Sequence, residues 1–436
     1  RHKQYTPGFL KFKLNYPCVH GKLNKFYPII AGIIIVIIAS SLAFYSQQDA
    51  SEMSVDTSPN AITIGALLPA TGDLASHGSD SNLAVQLAVE DFNKHLIALD
   101  SDYSMELIVE DTQTDPVVAL EKIQSLNSKG ISLIVGTQTS AELNNIKSYA
   151  DSNGMLLISP SSTSPKLAID DNIYRLIPDD TKQGKVLAEL FVYDGIKVIV
   201  PIYRGDVWGD GLYESTLDSF VSLGGTVDPG IRYSPEVTVF SSEASLLDGI
   251  VSNYVQDGYT NDEIAVLVIG FSEVVHLFNF VGSYDNLRNV SWYGSDGSSN
   301  DDAITSDKIA TAFATDVGLV TTQFSAPDSP TVQHINQALI EQTGSIPNAY
   351  AYSAYDAVWL IGNAVLETGS TDSAVIISAL PDVAATYDDG AIGKITFNDA
   401  GDLAISNYAL WSIGEDGWYL HGYYHVSENA FDFYDE

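Results

Sequence analysis

Thiols are almost missing from this chain: Cys18 is the only cysteine in 436 residues. An internal disulfide, a zinc–thiolate site and a cysteine nucleophile in the main body are thereby excluded. Cys18 also precedes the longest apolar run instead of following it, unlike the lipid-carrying cysteine of a bacterial lipoprotein. Positive charge is scarce too, with 20 Lys and Arg against 56 Asp and Glu and a net charge of −36. Such a surface repels nucleic acid and anionic lipid, so no nucleic-acid partner is expected. The 8 histidines are scattered without ligand spacing. No G-x-S-x-G elbow, P-loop, G-x-G-x-x-G after a strand or H-E-x-x-H occurs, and a surface hydrolase would need a nucleophile–base pair that the sequence does not offer. The expectation is a protein that is not an enzyme and has no cofactor.

What is present divides the chain by charge. Residues 1–26 hold Arg1, Lys3, Lys11, Lys13, Lys22 and Lys25 and no acid, and no charge occurs between Lys25 and Asp49. The apolar run at 27–46 is long enough for a bilayer, which needs ~20 apolar residues. Lysines before it and acids after it place the N-terminus inside and the large remainder outside, as a single-pass cell-membrane protein. The alternative is a cleaved signal with Ser41-Leu42-Ala43 as the small-residue site. The chain opens on Arg1 rather than Met, which reads as a fragment or a processed product. Residues 47–60 are polar and Ser-rich and read as a stalk. Beyond the run, acids are scattered, which fits solubility, including in a salty medium, better than a binding patch.

From Ala61 apolar runs of strand length alternate with helical spacing, the signature of parallel sheets covered on both faces. A helix is expected over Ser81–Leu99, a strand over Thr226–Tyr233, and closing strands over Ile392–Phe397 and Tyr408–Ile413. The stretch Ser132–Leu167 is the most informative. Leu133-Ile-Val135 is a strand that stops at Gly136. Thr137-Gln-Thr-Ser140 opens a helix, and Met155-Leu-Leu-Ile158 runs into Ser159-Pro-Ser-Ser-Thr-Ser-Pro165. Two hydroxyl-rich loops thus stand at the C-terminal ends of neighbouring strands, where an open α/β sheet binds ligands. Helix capping alone would also account for either loop.

The pairing of these loops resembles the first lobe of type I periplasmic binding proteins, in the branched-chain amino-acid (leucine/isoleucine/valine) binding branch served by ABC importers. Ile62–Asp73 is similar to that family's opening strand and loop, and Trp208-Gly-Asp-Gly-Leu212 and Tyr293-Gly-Ser-Asp296 to its second-lobe landmarks. The likeness spans roughly Ala61 to Ile413. It implies an α/β fold of two doubly wound parallel-sheet lobes joined by three crossings, here preceded by one transmembrane helix. Lobe one would be 61–178 and 323–402, and lobe two 179–322 and 403–436. Carried over by position, Ser140 and Thr163 would give hydroxyls to a ligand carboxylate, and Ser161 and Ser162 would give backbone groups. Asp296 would hold the ammonium, an Asp where a longer Glu is usual; a turn acid is the other reading. Trp208 and Phe271 would wall the side-chain pocket, or else be ordinary core. Ser76 and His77 are expected in the loop after the first strand, His77 either solvated or at the cleft. The acids from Asp296 to Asp302 lack the twelve-residue calcium-loop pattern. Asn289-Val-Ser291 is a glycosylation sequon.

The implied function is that of an extracytoplasmic binding protein that closes on a small polar solute, an amino acid or related amide. Its partner would be an ABC permease in the membrane. The alternative is the ligand-binding ectodomain of a membrane sensor or receptor.

Overall fold

Apolar runs buried on both faces build the first sheet. The computed structural model describes residues 60–414 and 416–434. The apolar run at 27–46, the stalk short of Asn60 and Cys18 lie outside the described residues. Elements alternate as β1 (Ala61–Leu68), α1 (Ala75–Ala98), β2 (Ser104–Asp111), α2 (Pro116–Ser128), β3 (Leu133–Gly136), α3 (Ser140–Ser152), β4 (Leu156–Ser159) and β5 (Ile173–Arg175). The strands are all parallel, in the order β2-β1-β3-β4-β5. Every residue of β3 and β4 is buried, as a strand covered by helices on both faces must be. The order reverses between β1 and β3, so the loops after these strands diverge and leave a crevice.

The chain then crosses to a second sheet. It contains α4 (Asp180–Tyr193), β6 (Val198–Arg204), α5 (Val207–Ser222), β7 (Thr226–Val227), β8 (Ile231–Tyr233), α6 (Ser241–Gln256), β9 (Ile264–Ile269), α7 (Val274–Val281), α8 (Asp285–Arg288), β10 (Ser291–Gly294), α9 (Asp302–Ser306), α10 (Lys308–Asp316) and β11 (Val320–Ser325). From there α11 (Pro330–Thr343), α12 (Tyr350–Thr368) and α13 (Ser373–Thr386) return to the first sheet. Ile335, Leu339, Val358, Ile361 and Leu380 share a core with Ile62, Ile64, Leu156 and Ile158. The last passage leads to β12 (Asn407–Gly414), β13 (Gly417–His425) and β14 (Ala430–Phe433) in the second sheet. Val200, Val266, Phe278 and Trp292 fill one side of that sheet, and Phe191, Ile199, Leu212 and Leu267 the other.

Four expectations need correction. The second sheet is mixed, not purely parallel: β6 to β11 pair in parallel, while β11-β12-β13-β14 run antiparallel. Short connections among the last three strands permit only antiparallel neighbours. The strand expected over Thr226–Tyr233 breaks into β7 and β8 at Gly230, which has φ +66°. Residues 392–397 do not form a strand, because the N–H groups of Ala391 and Ile392 donate to the buried Asp356 carboxylate at 2.9 and 2.8 Å instead of to a ladder. Finally, α1 begins at Ala75, not Ser81. Ser76 and His77 therefore sit in its first turn, where the Gly78 N–H bonds Leu74 O at 2.9 Å. Gly78 allows this close start, since a Cβ there would lie 1.9 Å from Pro69 O.

Candidate functional site

The first hydroxyl loop is held rigid at both ends. Gly136 has φ +131°, and a Cβ on it would meet Leu67 O at 2.3 Å. At the other end Thr139 and Glu142 form a capping box: Thr139 Oγ1 accepts from the Glu142 N–H at 3.2 Å, and the Glu142 carboxylate accepts from the Thr139 N–H at 3.0 Å. The second loop is stitched to the first. Ser159 Oγ donates to Thr137 O at 2.8 Å, Ser161 Oγ donates to Gln138 O at 2.6 Å, and the Ser164 N–H donates to Ser140 Oγ at 3.1 Å. Buried Arg175 anchors that loop, donating Nη1 to the carbonyls of Ser162 and Ser164 at 2.9 and 2.8 Å. Its Nε and Nη2 form a bidentate pair with Asp402 on the last passage between the sheets.

The second sheet faces these loops with aromatics and acids. Asp206 caps α5, accepting from the N–H groups of Trp208 and Gly209 at 3.0 and 2.9 Å. This cap sets Trp208 flat on Phe271, with ring centroids 4.6 Å apart. The Arg204 guanidinium lies 4.7 Å from the centre of the Phe271 ring. Asp296 opens the single 3-10 turn after β10, and its Oδ2 accepts from the Tyr350 hydroxyl. His77 Nε2 donates to the Ser299 carbonyl at 3.1 Å. A carbonyl only accepts, so this bond leaves Nδ1 as the ring's acceptor.

These groups surround a small cavity whose room for the centre of a water molecule is ≈ 20 Å³, about one water's worth. A wider cleft between the sheets, ≈ 470 Å³, is lined by Thr114, Arg204, Glu236 and His276; there Arg204 is taken up by Asp73 and Glu273, Asp115 caps α2 and Glu236 accepts from Ser234 Oγ, so the smaller cavity is the better-built site. Several buried side-chain atoms have no partner within the protein: Gln138 Nε2 and Oε1, Asp296 Oδ1, His77 Nδ1 and Asp180 Oδ1. Such groups cost free energy when buried and mark a place where something else is meant to bond. Burial raises the Asp296 carboxyl above its ordinary value, opposed by the hydrogen bond from Tyr350. Asp180 is raised further, first by burial and then by the neighbouring Asp296.

Of the residues singled out in the sequence, Ser140, Ser161, Trp208, Phe271, Asp296 and His77 line this cavity. Three others do not. Ser162 donates its N–H to Ser159 Oγ at 3.1 Å, Thr163 donates its hydroxyl to Asp180 at 2.9 Å, and Ser76 is half-buried away from the cavity. His77 is neither solvated nor in a loop: it is 1% exposed. Gln138, Tyr350, Leu74 and Gly297 complete the lining. Gln138 lay in plain view between two flagged hydroxyls, whereas Tyr350 has no local signal, since only the return of α12 brings it to Asp296. In the acidic stretch from Asp296 to Asp302, Asp301 caps α9 and accepts from Ser272 Oγ at 2.6 Å. Among the described residues no group of three or more His, Cys, Asp or Glu is arranged to hold a metal ion.

Contacts draw the two sheets' loops together around the site. Arg204 Nη1 bonds Asp73 at 3.0 Å and Glu273 at 2.8 Å, the Ser272 N–H donates to Asp73 O at 3.2 Å, and Ser164 Oγ donates to Val207 O at 2.7 Å.

A cleft between two α/β lobes, closed by bonds across it, defines a ligand-binding protein of the type I periplasmic binding fold. Residues 80–416 match the model of the receptor family ligand binding region, and the chain belongs to that family, whose fold is ligand-binding and non-catalytic. An uncharacterised protein of Methanocaldococcus jannaschii is 28% identical over 393 residues, covering 86% of this chain and 92% of that protein. A Leu/Ile/Val-binding protein, BraC3, of Rhizobium johnstonii is 26% identical over 368 residues, covering 81% and 92%. The crystal structure of the leucine-binding protein LivK from Thermotoga maritima superposes with a TM-score of 0.72 at 21% identity, covering 84% of this chain and 99% of that one.

Proposed function

We propose that this protein is the extracytoplasmic substrate-binding component of an ABC importer. It takes up a small polar solute, an amino acid or related amide, between its lobes. The observation that carries the reading is Asp296 Oδ1, a buried carboxylate oxygen in the cleft with no partner in the protein. An ammonium group would pair with it. The first turn of α3 at Ser140, with its positive dipole end, suits the opposite, anionic end of an amino acid. The name of the Rhizobium relative supports an amino-acid ligand.

Binding works by population shift: a ligand that touches both lobes stabilises the closed form that a permease would recognise. The cavity is too small for an amino acid as it stands, so entry requires the lobes to part. The apolar run at 27–46 serves as the membrane anchor in this reading. Among the described residues no helix is long and apolar enough to cross a membrane. A sensor ectodomain would use the same cleft, and the family's description as a receptor region favours keeping it as the second reading. Permease and ATPase genes beside this one would decide for transport.

A thermal-shift panel of amino acids, amides and urea tests the binding role. A ligand at 100 times its dissociation constant adds ~2.7 kcal/mol, a rise of several degrees in Tm. The expected result is a shift by a compound bearing an ammonium group, abolished in Asp296→Ala. A shift that survives Asp296→Ala removes this residue from the site.

A further inference from the structure

The side chain of Gln138 is 1% exposed and lines the cleft cavity, yet neither its Nε2 nor its Oε1 has a partner in the protein. The main chain of the same residue is firmly held, its carbonyl accepting from Ser161 Oγ at 2.6 Å. The amide is thus carried on a rigid loop and committed to nothing. His77 Nδ1, lining the same cavity, is a second acceptor without a partner.

We propose that Gln138, with His77, selects a solute whose tail is a carboxamide, as in glutamine, asparagine or a simple amide, over one with an aliphatic tail. This rests on the reading of the cleft as a solute site and names the class of solute. A primary amide offers one donor edge and one acceptor edge, and only a ligand group with both satisfies both. A ligand carboxylate would use Nε2 alone and leave Oε1 facing negative charge. An ammonium would use Oε1 alone. An alkyl tail such as that of leucine would strand both atoms, and His77 Nδ1 as well, in a site closed to water. A carboxamide has the complement of all three: a C=O to accept from Nε2, and two N–H bonds to give to Oε1 and His77 Nδ1 once the lobes have parted to admit it. Asp296 remains free for an ammonium group. Sites that hydrogen-bond a substrate group reject analogues lacking it far more strongly than apolar pockets reject an extra methylene.

Titration calorimetry on the whole protein tests this with L-glutamine, L-asparagine, acetamide, L-leucine and L-isoleucine, on the wild type, Gln138→Leu and Gln138→Glu. The expected result is that a carboxamide compound binds the wild type at least about tenfold more tightly than leucine, and that Gln138→Leu reverses the order. Gln138→Glu keeps the shape but loses the donor edge, so it should weaken the carboxamide ligand about tenfold. Leucine or isoleucine binding the wild type as tightly as the carboxamides, with the order untouched by Gln138→Leu, overturns the inference and leaves the solute-binding role standing. Heat from none of the compounds overturns both.

Discussion

Asp180 shows how one side chain ties the site to stability. It is fully buried at the start of α4, with Thr163 on one carboxylate oxygen and nothing on the other. Burial and then the nearby Asp296 raise its carboxyl well above the ordinary value. The folded protein therefore holds this proton more tightly than the unfolded chain, where an Asp titrates near 3.9. Stability from this group is full below about pH 4 and falls as pH rises toward the folded value. Asp180→Asn, which keeps an acceptor for Thr163, should flatten that decline and raise Tm at pH 7 in the absence of ligand. A lower Tm at pH 7 would mean that the ionised carboxylate is needed. Asp296 and Ser140 were singled out through the family resemblance, and both line the cavity. Asp180 and Tyr350 were not, because their roles come from burial against distant segments.

At the scale of elements, the close approach of α1 and α12 carries the first lobe. A Cβ on Gly362 of α12 would lie 2.3 Å from the Phe92 ring of α1, so the two helices meet across a glycine. Gly362→Ala forces the Phe92 ring or the helix axis to move, at a cost of about 1–3 kcal/mol; chemical denaturation should show a lower midpoint with an unchanged slope. Strands β1, β3 and β4 could be read from sequence because a strand buried on both faces is a continuous apolar run. The segments β13 and β14 could not, because Gly417–His425 mixes aromatics, Gly and His without alternation and its register slips at Leu410/Trp411. The segment 392–397 misled for the opposite reason. It looks like a strand, but its neighbouring N–H groups answer to Asp356, a side chain 36 residues away in the chain.

On the scale of the whole molecule, two doubly wound units were foreseeable from the rhythm of strands and helices, three passages and a cleft came only with the family resemblance, and the antiparallel edge of the second sheet was not foreseeable. What no pattern could show is the bonding across the cleft. Asp73, half-exposed, meets Arg204, which also holds Glu273 and covers Phe271. Asp73 does not line the small cavity, so Asp73→Asn should act on closure alone. The Asp73 carboxylate is 42% exposed, so solvent screens its pair with the buried Arg204 and the contribution is about 1 kcal/mol, which corresponds to a two- to fivefold weaker ligand affinity in calorimetry with Asp296 and Gln138 intact.

Small-angle X-ray scattering of the purified protein, with and without the compound that shifts its Tm, tests the central claim most directly. The account predicts a saturable fall in the radius of gyration on adding the compound, absent in Asp296→Ala and needing more compound in Asp73→Asn. Binding detected by heat with no change in scattering, and equal in Asp296→Ala, would contradict a cleft that closes on its ligand.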